Sequence, residues 1–172
     1  MMVDDMDLGT LIVAALKFIF PAYCANAAPV LAGGGCSMDF GKNFFDGKRI
    51  FGKNKTFRGF FFGWAIGIIV GLAEGAVFGF GAYSILFSIL TPLGALLGDL
   101  TGAFLKRRLN IAPGGLLPIV DQIDFVVGAL VFSLPLMMIS WELALAVILI
   151  TPPIHLFTNF LAYKLKLKKN PW

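Results

Sequence analysis

Residues 83–108 read YSILFSILTPLGALLGDLTGAFLKRR. From Tyr83 to Leu105 the only charged residue is Asp99; Lys106, Arg107 and Arg108 then follow without a break. The hydrocarbon core of a bilayer, roughly 30 Å thick, takes about 20 apolar residues of helix. The stretch therefore reads as a membrane span with a cationic end, and with an acid less than two turns inside that end.

Four more apolar blocks surround it: Leu8–Ala32, Gly59–Phe80, Ile123–Ile139 and Leu143–Tyr163. Ile123–Ile139 is the shortest, and Pro135 is expected to kink it. Composition agrees. The chain has 172 residues, 58% hydrophobic and 14% charged, with mean hydropathy +0.85. A soluble domain carries about 25% charged residues, so this chain has too few charges to stay in water. The expectation is an all-α polytopic membrane protein, residues 1–172 forming one catalytic domain. Its five transmembrane helices are expected at about 8–32, 59–80, 83–105, 123–139 and 143–163, with polar loops at 33–58 and 106–122.

Charge orients these spans. Lys42, Lys48, Arg49, Lys53, Lys55 and Arg58 lie between the first two blocks or at their edges, and Lys106–Arg108 end the third. Lys164, Lys166, Lys168 and Lys169 follow the fifth. With five spans, every Lys and Arg except Lys17 falls on one side. Asp4, Asp5, Asp7, the turn near Gly81 and Glu142 fall on the other. The positive-inside rule makes the basic side cytoplasmic. The N-terminus is then outside, the C-terminus cytoplasmic, and the location a cell membrane crossed several times. Four or six spans would split the basic segments between sides. A cleaved signal peptide is disfavoured, because the flank is acidic and Lys17 interrupts the apolar region. Cys24 and Cys36 suggest neither a disulfide nor a metal knuckle.

Polar residues inside spans are expensive and commonly functional. Asn26, Asp99, Asp121, Asp124, His155 and Asn159 all fall within roughly 12 Å of the cytoplasmic ends of their helices at 1.5 Å per residue. That common depth suggests a polar cavity facing the cytoplasm; for His155 and Asn159, interhelical hydrogen bonding is an equal reading. Lys17 and Glu74 lie deeper, at matching height, and are expected to pair. Gly59, Gly63, Gly67, Gly71, Gly75 and Gly79 form a small-residue ridge, suited to an internal helix contact or to a homodimer.

Gly47–Asn54 nearly fits a P-loop, but Asn54 stands where the metal-binding hydroxyl belongs and no strand–loop–helix context is expected. The loop cations Lys48, Arg49, Lys53, Lys55 and Arg58 suit a polyphosphate. From the loop alone, simple positive-inside topology or attraction to anionic lipid headgroups is the preferred reading. The richest constellation runs from Gly98 to Asp124. Asp99 and Lys106 are seven apart on one helical face. Asp121 and Asp124 are three apart on another. A short Pro/Gly turn joins the two helices, so carboxylates and cations meet at one level. Hard oxygen ligands of this kind suit Mg²⁺ with substrate phosphates, and such a grouping suits phosphoryl or nucleotidyl transfer.

The stretch Gly98–Asp124 resembles the signature of the phosphatidate cytidylyltransferases: Lys-Arg, a Pro/Gly-rich turn, then two aspartates three apart. Lys55-Thr56-Phe57-Arg58-Gly59 resembles a second element of that family. Ala103, Leu109-Asn110, Pro113-Gly114-Gly115 and Asp121-Gln122 depart from the longer enzymes. With the short chain, Asn26-Ala27-Ala28-Pro29 and the Asp46-to-Gly59 loop, they are similar to the archaeal branch, the CDP-archaeol synthases. The resemblance implies transfer of a cytidylyl group from CTP to an unsaturated archaeal ether lipid phosphate, di-O-geranylgeranylglyceryl phosphate, releasing pyrophosphate. It implies Mg²⁺ on Asp99, Asp121 and Asp124, with Lys106 also catalytic. Lys55, Arg58, Lys106 and Arg107 would face the triphosphate, and Asn26 and Thr56 the nucleotide. The other readings are a CTP-dependent lipid-alcohol kinase and a small membrane transporter.

Overall fold

The computed structural model describes residues 7–32, 34–79, 83–136, 139–168 and 170. The expectations for Asp4, Asp5, the turn near Gly81 and Lys169 lie outside the described residues. The architecture is all-helical: α1 (Leu8–Ala27), α2 (Phe57–Phe78), α3 (Tyr83–Arg108), α4 (Val120–Ser133) and α5 (Trp141–Lys164). Short 3-10 turns extend α1 over Ala28–Val30 and α4 over Leu134–Leu136.

Local chemistry sets these ends. Asp7 accepts the Thr10 N–H at 2.8 Å and starts α1; Thr56 accepts the Gly59 N–H at 3.1 Å and starts α2; Ser140 accepts the Leu143 N–H at 3.2 Å and starts α5. Each satisfies a donor that a helix N-terminus leaves open. Gly79, at φ 74, closes α2 in the left-handed conformation that glycine adopts without steric cost.

Several boundaries differ from expectation. α1 stops at Ala27, because Pro29 tightens the chain into the 3-10 turn. Pro135 stops α4 at Ser133 instead of kinking a longer helix. α3 runs through Arg108, so the basic cluster is its last turn rather than the start of a loop. There the cations face the negative end of the helix dipole. α4 begins at Val120, which puts Asp121 in its first turn.

Among the described residues, four helices are long and apolar enough to cross a membrane: Leu8–Val30, Phe57–Phe78, Ile85–Arg108 and Trp141–Lys164. α4 has 14 residues, or about 21 Å of helix at 1.5 Å per residue, and falls short of that length. Exposed apolar side chains such as Ile69, Val77, Leu149 and Phe157 coat the outside, which suits lipid and not water. The interior gathers Ala15, Phe18, Ile19 and Ala22 of α1 with Phe87 and Ala95 of α3, Phe125, Val126 and Ala129 of α4, and Val147 of α5. Buried hydroxyls pair across helices, as polar groups in lipid must. Thr91 meets Ser133 at 2.7 Å, and the Tyr23 hydroxyl meets Thr151 at 2.9 Å.

The α2 glycine ridge is consumed inside the monomer. A Cβ on Gly63 would lie 2.5 Å from the Ala25 carbonyl oxygen, one on Gly67 2.4 Å from Pro92 Cβ, and one on Gly71 2.7 Å from Ser88 Oγ. α1 and α3 occupy that face from Gly63 to Gly71, so this part of the ridge serves an internal contact, one of its two expected uses; a Cβ on Gly79 would meet nothing within 4 Å. The Lys17–Glu74 pair also does not form. Lys17 Nζ sits 3.9 Å from the centroid of the Phe78 ring, a cation–π contact. Glu74 Oε2 is buried without a hydrogen-bond partner. The charge of Lys17 still acts on Glu74, but without a direct ion pair.

Candidate active site

The site is built on the α3–α4 contact. Gly94, Gly98 and Gly102 stand four residues apart on α3 and meet α4 in antiparallel order. A Cβ on Gly94 would lie 2.3 Å from the Gly128 carbonyl oxygen; on Gly98, 2.2 Å from the Asp124 carbonyl oxygen; on Gly102, 1.9 Å from Asp124 Oδ2. Only glycine admits α4 this closely. The seam lays the Asp124 carboxylate against α3, where it feels the charges of Asp99, Lys55 and Asp121. Nothing in the sequence reading had singled out these glycines. Their spacing, the same as that of the α2 ridge, was the available signal.

Two lysines neutralise the other carboxylates. Lys55, from the segment just before α2, forms an ion pair with Asp99. Lys106 pairs with Asp121 at 2.8 Å and donates to the Gly115 carbonyl at 2.9 Å. Asp121 Oδ2 also accepts the Leu117 N–H at 2.9 Å, which fixes the turn into α4. In that turn Ile119 holds φ 67, a conformation that costs a β-branched residue energy. Asp99, Asp121, Asp124, Lys55 and Lys106 thus come together as one group.

The remaining predicted residues separate. Arg107 is buried against the backbone of Gly52: that glycine, at φ 101, would place a Cβ 3.4 Å from Arg107 Nη1. Arg107 Nε has no hydrogen-bond partner. Arg58 is exposed and makes no hydrogen bond or ion pair among the described residues. The Thr56 hydroxyl is engaged in capping α2. Asn26 is half-buried on the face of α1 that carries Tyr23, whose ring packs 5.7 Å from that of Phe125. His155 and Asn159 hydrogen-bond to each other at 3.3 Å within α5, while the His155 ring lies 5.9 Å from that of Phe125.

Sequence reasoning missed the residue that shapes the first loop. Asp39, whose side chain is 0% exposed, accepts the Arg49 guanidinium and the N–H groups of Gly41, Phe51 and Gly52 at 3.1, 3.2 and 2.8 Å. Burial opposes its ionisation; Arg49 and the three N–H groups outweigh burial and hold the carboxyl well below the usual carboxylate range. A second tie joins the loop to α3: Lys48 Nζ donates to the Arg108 carbonyl at 2.8 Å, and Arg108 pairs with Asp46 at 2.7 Å. Lys48 and Arg49 therefore serve the loop's own structure. This framework carries Gly52 to Arg107 and Lys55 to Asp99. No P-loop forms; the backbone pairings within the described loop are isolated bridges, Ser37 with Thr56 and Asn43 with Arg49.

Among the described residues, no three His, Cys, Asp or Glu side chains close around one point as a metal cage. Mg²⁺ needs no such cage, because it typically takes one or two carboxylates and completes its shell with phosphates and water. The hard oxygens of Asp99, Asp121 and Asp124 fit that requirement.

Apolar helices, a carboxylate–lysine cluster at one end of the bundle and an ordered cationic loop are those of a multi-pass membrane enzyme suited to phosphoryl or nucleotidyl transfer. Comparison with known proteins agrees. The CarS-like family, described as CDP-archaeol synthase, matches residues 8–172. The CDP-archaeol synthase of Pyrococcus furiosus is 45% identical over 164 residues, covering 94% of this chain and 98% of that one. That of Methanococcus aeolicus is 42% identical over 178 residues, covering 97% and 100%. A solved structure, described as an intramembrane enzyme for archaeal membrane lipids biosynthesis, superposes with TM-score 0.81 at 37% identity, covering 86% of this chain and 94% of that one. The chain belongs to the CarS-like family of CDP-archaeol synthases. The transporter reading is thereby set aside.

Proposed function

We propose that the protein transfers a cytidylyl group from CTP to an archaeal ether lipid phosphate, giving a CDP-lipid and pyrophosphate. The observation that carries this reading is the gathering of Asp99, Asp121 and Asp124 with Lys55 and Lys106 at the mouth of the α3–α4 seam, in a chain of this family. A phosphate oxygen of the lipid attacks the α-phosphorus of CTP in line. The new P–O bond forms as the bond to the β-phosphate bridging oxygen breaks, and pyrophosphate leaves. The lipid phosphate is itself the nucleophile, so no protein nucleophile is needed; positioning and charge do the work.

Asp99, Asp121 and Asp124 would supply the oxygens that hold Mg²⁺, and the ion would contribute positive charge against the phosphates. Lys55 and Lys106, paired with carboxylates in this structure, exchange those partners for triphosphate oxygens. Arg107 adds positive charge beside Gly52, while Asn26 and the Thr56 region border the nucleotide. Arg58 stands further out, toward the approaching phosphates.

The proposal extends to topology. α4 with its 3-10 extension is the fifth crossing, and the N-terminus lies outside. Loops 33–58 and 106–122 and the chain after α5 share the cytoplasmic side, where CTP is made. The hydrogen bonds joining these three segments support one common face. The lipid enters sideways, with its tails in the bilayer and its phosphate at the cavity rim.

The test uses purified protein with Mg²⁺, an ether lipid phosphate and CTP labelled at the α- or γ-phosphorus. The α-label is expected in the lipid. Entry of the γ-label would mean kinase action instead. Asp99→Asn should lower turnover by about a thousandfold with unchanged elution in detergent; wild-type-like turnover would sink the assignment of the site.

A further inference from the structure

Beyond Lys164 the chain turns back on itself. Lys166 takes φ 61, and the N–H groups of Leu167 and Lys168 both donate to the Ala162 carbonyl, at 2.9 and 3.3 Å. A left-handed residue after the last helical turn is a common way to reverse a chain there. The reversal sends the Lys168 side chain back along α5, where its Nζ donates to Asn159 Oδ1 at 3.0 Å. Asn159 meets the His155 ring, and that ring lies beside Phe125, the neighbour of Asp124. Farther on, Asn170 Nδ2 donates to the Gly114 carbonyl at 3.3 Å and ties the reversed segment to the α3–α4 turn.

Lys168 is half-buried, and the charges of Lys55, Asp121, Asp99 and Lys106 all act on it. Burial, then Lys55, push its ammonium below the ordinary lysine value, against the pull of Asp121 and Asp99. A third ammonium in a wall that already holds Lys55 and Lys106 is repelled by them. A polyanion entering that wall turns the repulsion into binding. The other described lysines at the end of α5 and beyond it do not share this placement. Lys164 is exposed with its Nζ 5.4 Å from the centroid of the Phe160 ring, and Lys166 is exposed.

We propose that Lys168, delivered by the reversed segment 165–168, is a substrate-binding residue of the active site that grips a phosphoryl oxyanion. This rests on the cytidylyl-transfer reading above. It revises the sequence-based view of the basic tail as an orientation signal alone. The oxyanion belongs either to the triphosphate of CTP or to the lipid phosphate, and kinetics separate the two.

The experiment compares Lys168→Ala, Lys168→Arg and Lys166→Ala in the full chain, with CTP, Mg²⁺ and an ether lipid phosphate. Lys168→Ala should raise one KM by about tenfold. A raised KM for CTP assigns the triphosphate, and a raised KM for the lipid assigns the lipid phosphate. Lys168→Arg should recover most of the loss, and Lys166→Ala should match wild type. Wild-type kinetics in Lys168→Ala would overturn the proposal. So would a uniform loss of activity accompanied by a lower melting temperature, which marks a structural role.

A second measurement needs no variant. In the wild-type protein, CTP or the lipid phosphate should shield Lys168, but not Lys166, from an amine-reactive ester read by mass spectrometry. Equal labelling of Lys168 with and without either substrate would overturn the proposal. Failure of the wild-type protein to form any CDP-lipid would instead defeat the cytidylyl-transfer reading, and the shielding measurement would still report on Lys168 itself.

Discussion

Two glycine seams run through this protein, and they do different work. On α2, Gly63, Gly67 and Gly71 press against Ala25, Pro92 and Ser88. On α3, Gly94, Gly98 and Gly102 press against α4 from Gly128 to Asp124. Both use the same four-residue spacing and the same physics of close backbone approach. The first meets rigid side chains and backbone carrying no charge, so it holds helices together. The second meets a charged residue, so the closeness of packing also sets where a carboxylate sits. What a small-residue ridge positions thus depends on what the opposite helix presents.

That contrast can be broken by adding a single methyl group. Gly102→Ala should have the largest effect on catalysis. Its Cβ would collide with the free end of the Asp124 side chain, which can swing away at little cost in stability. A misplaced catalytic group commonly costs about a hundredfold, so kcat/KM should fall by about that factor with little change in melting temperature. Unaltered kcat/KM would show that the position of Asp124 does not matter. Gly67→Ala should do the reverse. Its Cβ would meet Pro92 Cβ and Ala25 Cβ, at 2.4 and 2.9 Å, and neither can swing away. Overpacking of this kind costs about 1–3 kcal/mol, to be read as a lower melting temperature in detergent with kcat nearly intact.

The loop that carries Lys55 to the second seam provides a subtler test. The Asp39 carboxyl has a lower pKa folded than unfolded. Its contribution to loop stability is therefore complete above the unfolded value of about 3.9. It is lost as pH falls below that value toward the folded one. Proteolysis within residues 34–56 should be flat from neutral pH down to about pH 5 and rise below about pH 4. Asp39→Asn should make the loop more open to cleavage at neutral pH and remove that acid step. The smallest effect belongs to the opposite end of the bundle. Glu74→Gln keeps the shape of an acid that pairs with nothing in the site, and activity should stay within about twofold. A larger loss would mean that the deep charges at Lys17 and Glu74 reach the chemistry after all.

The sequence already showed much of this. Runs of apolar residues marked the five helices, with the ends of α1 and α4 placed five and six residues too far on, because lipid tolerates backbone only as satisfied helix. The carboxylates and lysines of the site were visible as charges inside or at the ends of those runs, where burial makes a charge conspicuous. Asp39 was not visible, because an aspartate in a polar loop has no such contrast with its neighbours. The Lys17–Glu74 pair was misjudged because residue counting gives depth in the membrane but not direction around a helix axis. Lys168 looked like one basic residue of a tail until a left-handed turn at Lys166 brought it back beside Asn159.

The sequence by itself determined which segments are apolar helices, which end carries the positive charge and which side chains are costly enough to signal function. Those are one-dimensional quantities, set by composition and by rise per residue. Only the tertiary structure decided which lysine meets which aspartate, what each glycine ridge presses against, and that the described residues after α5 turn back toward Asn159. Those depend on helix rotation and on loop closure, where a shift of one residue turns a side chain by about 100° and no pattern along the chain records the result.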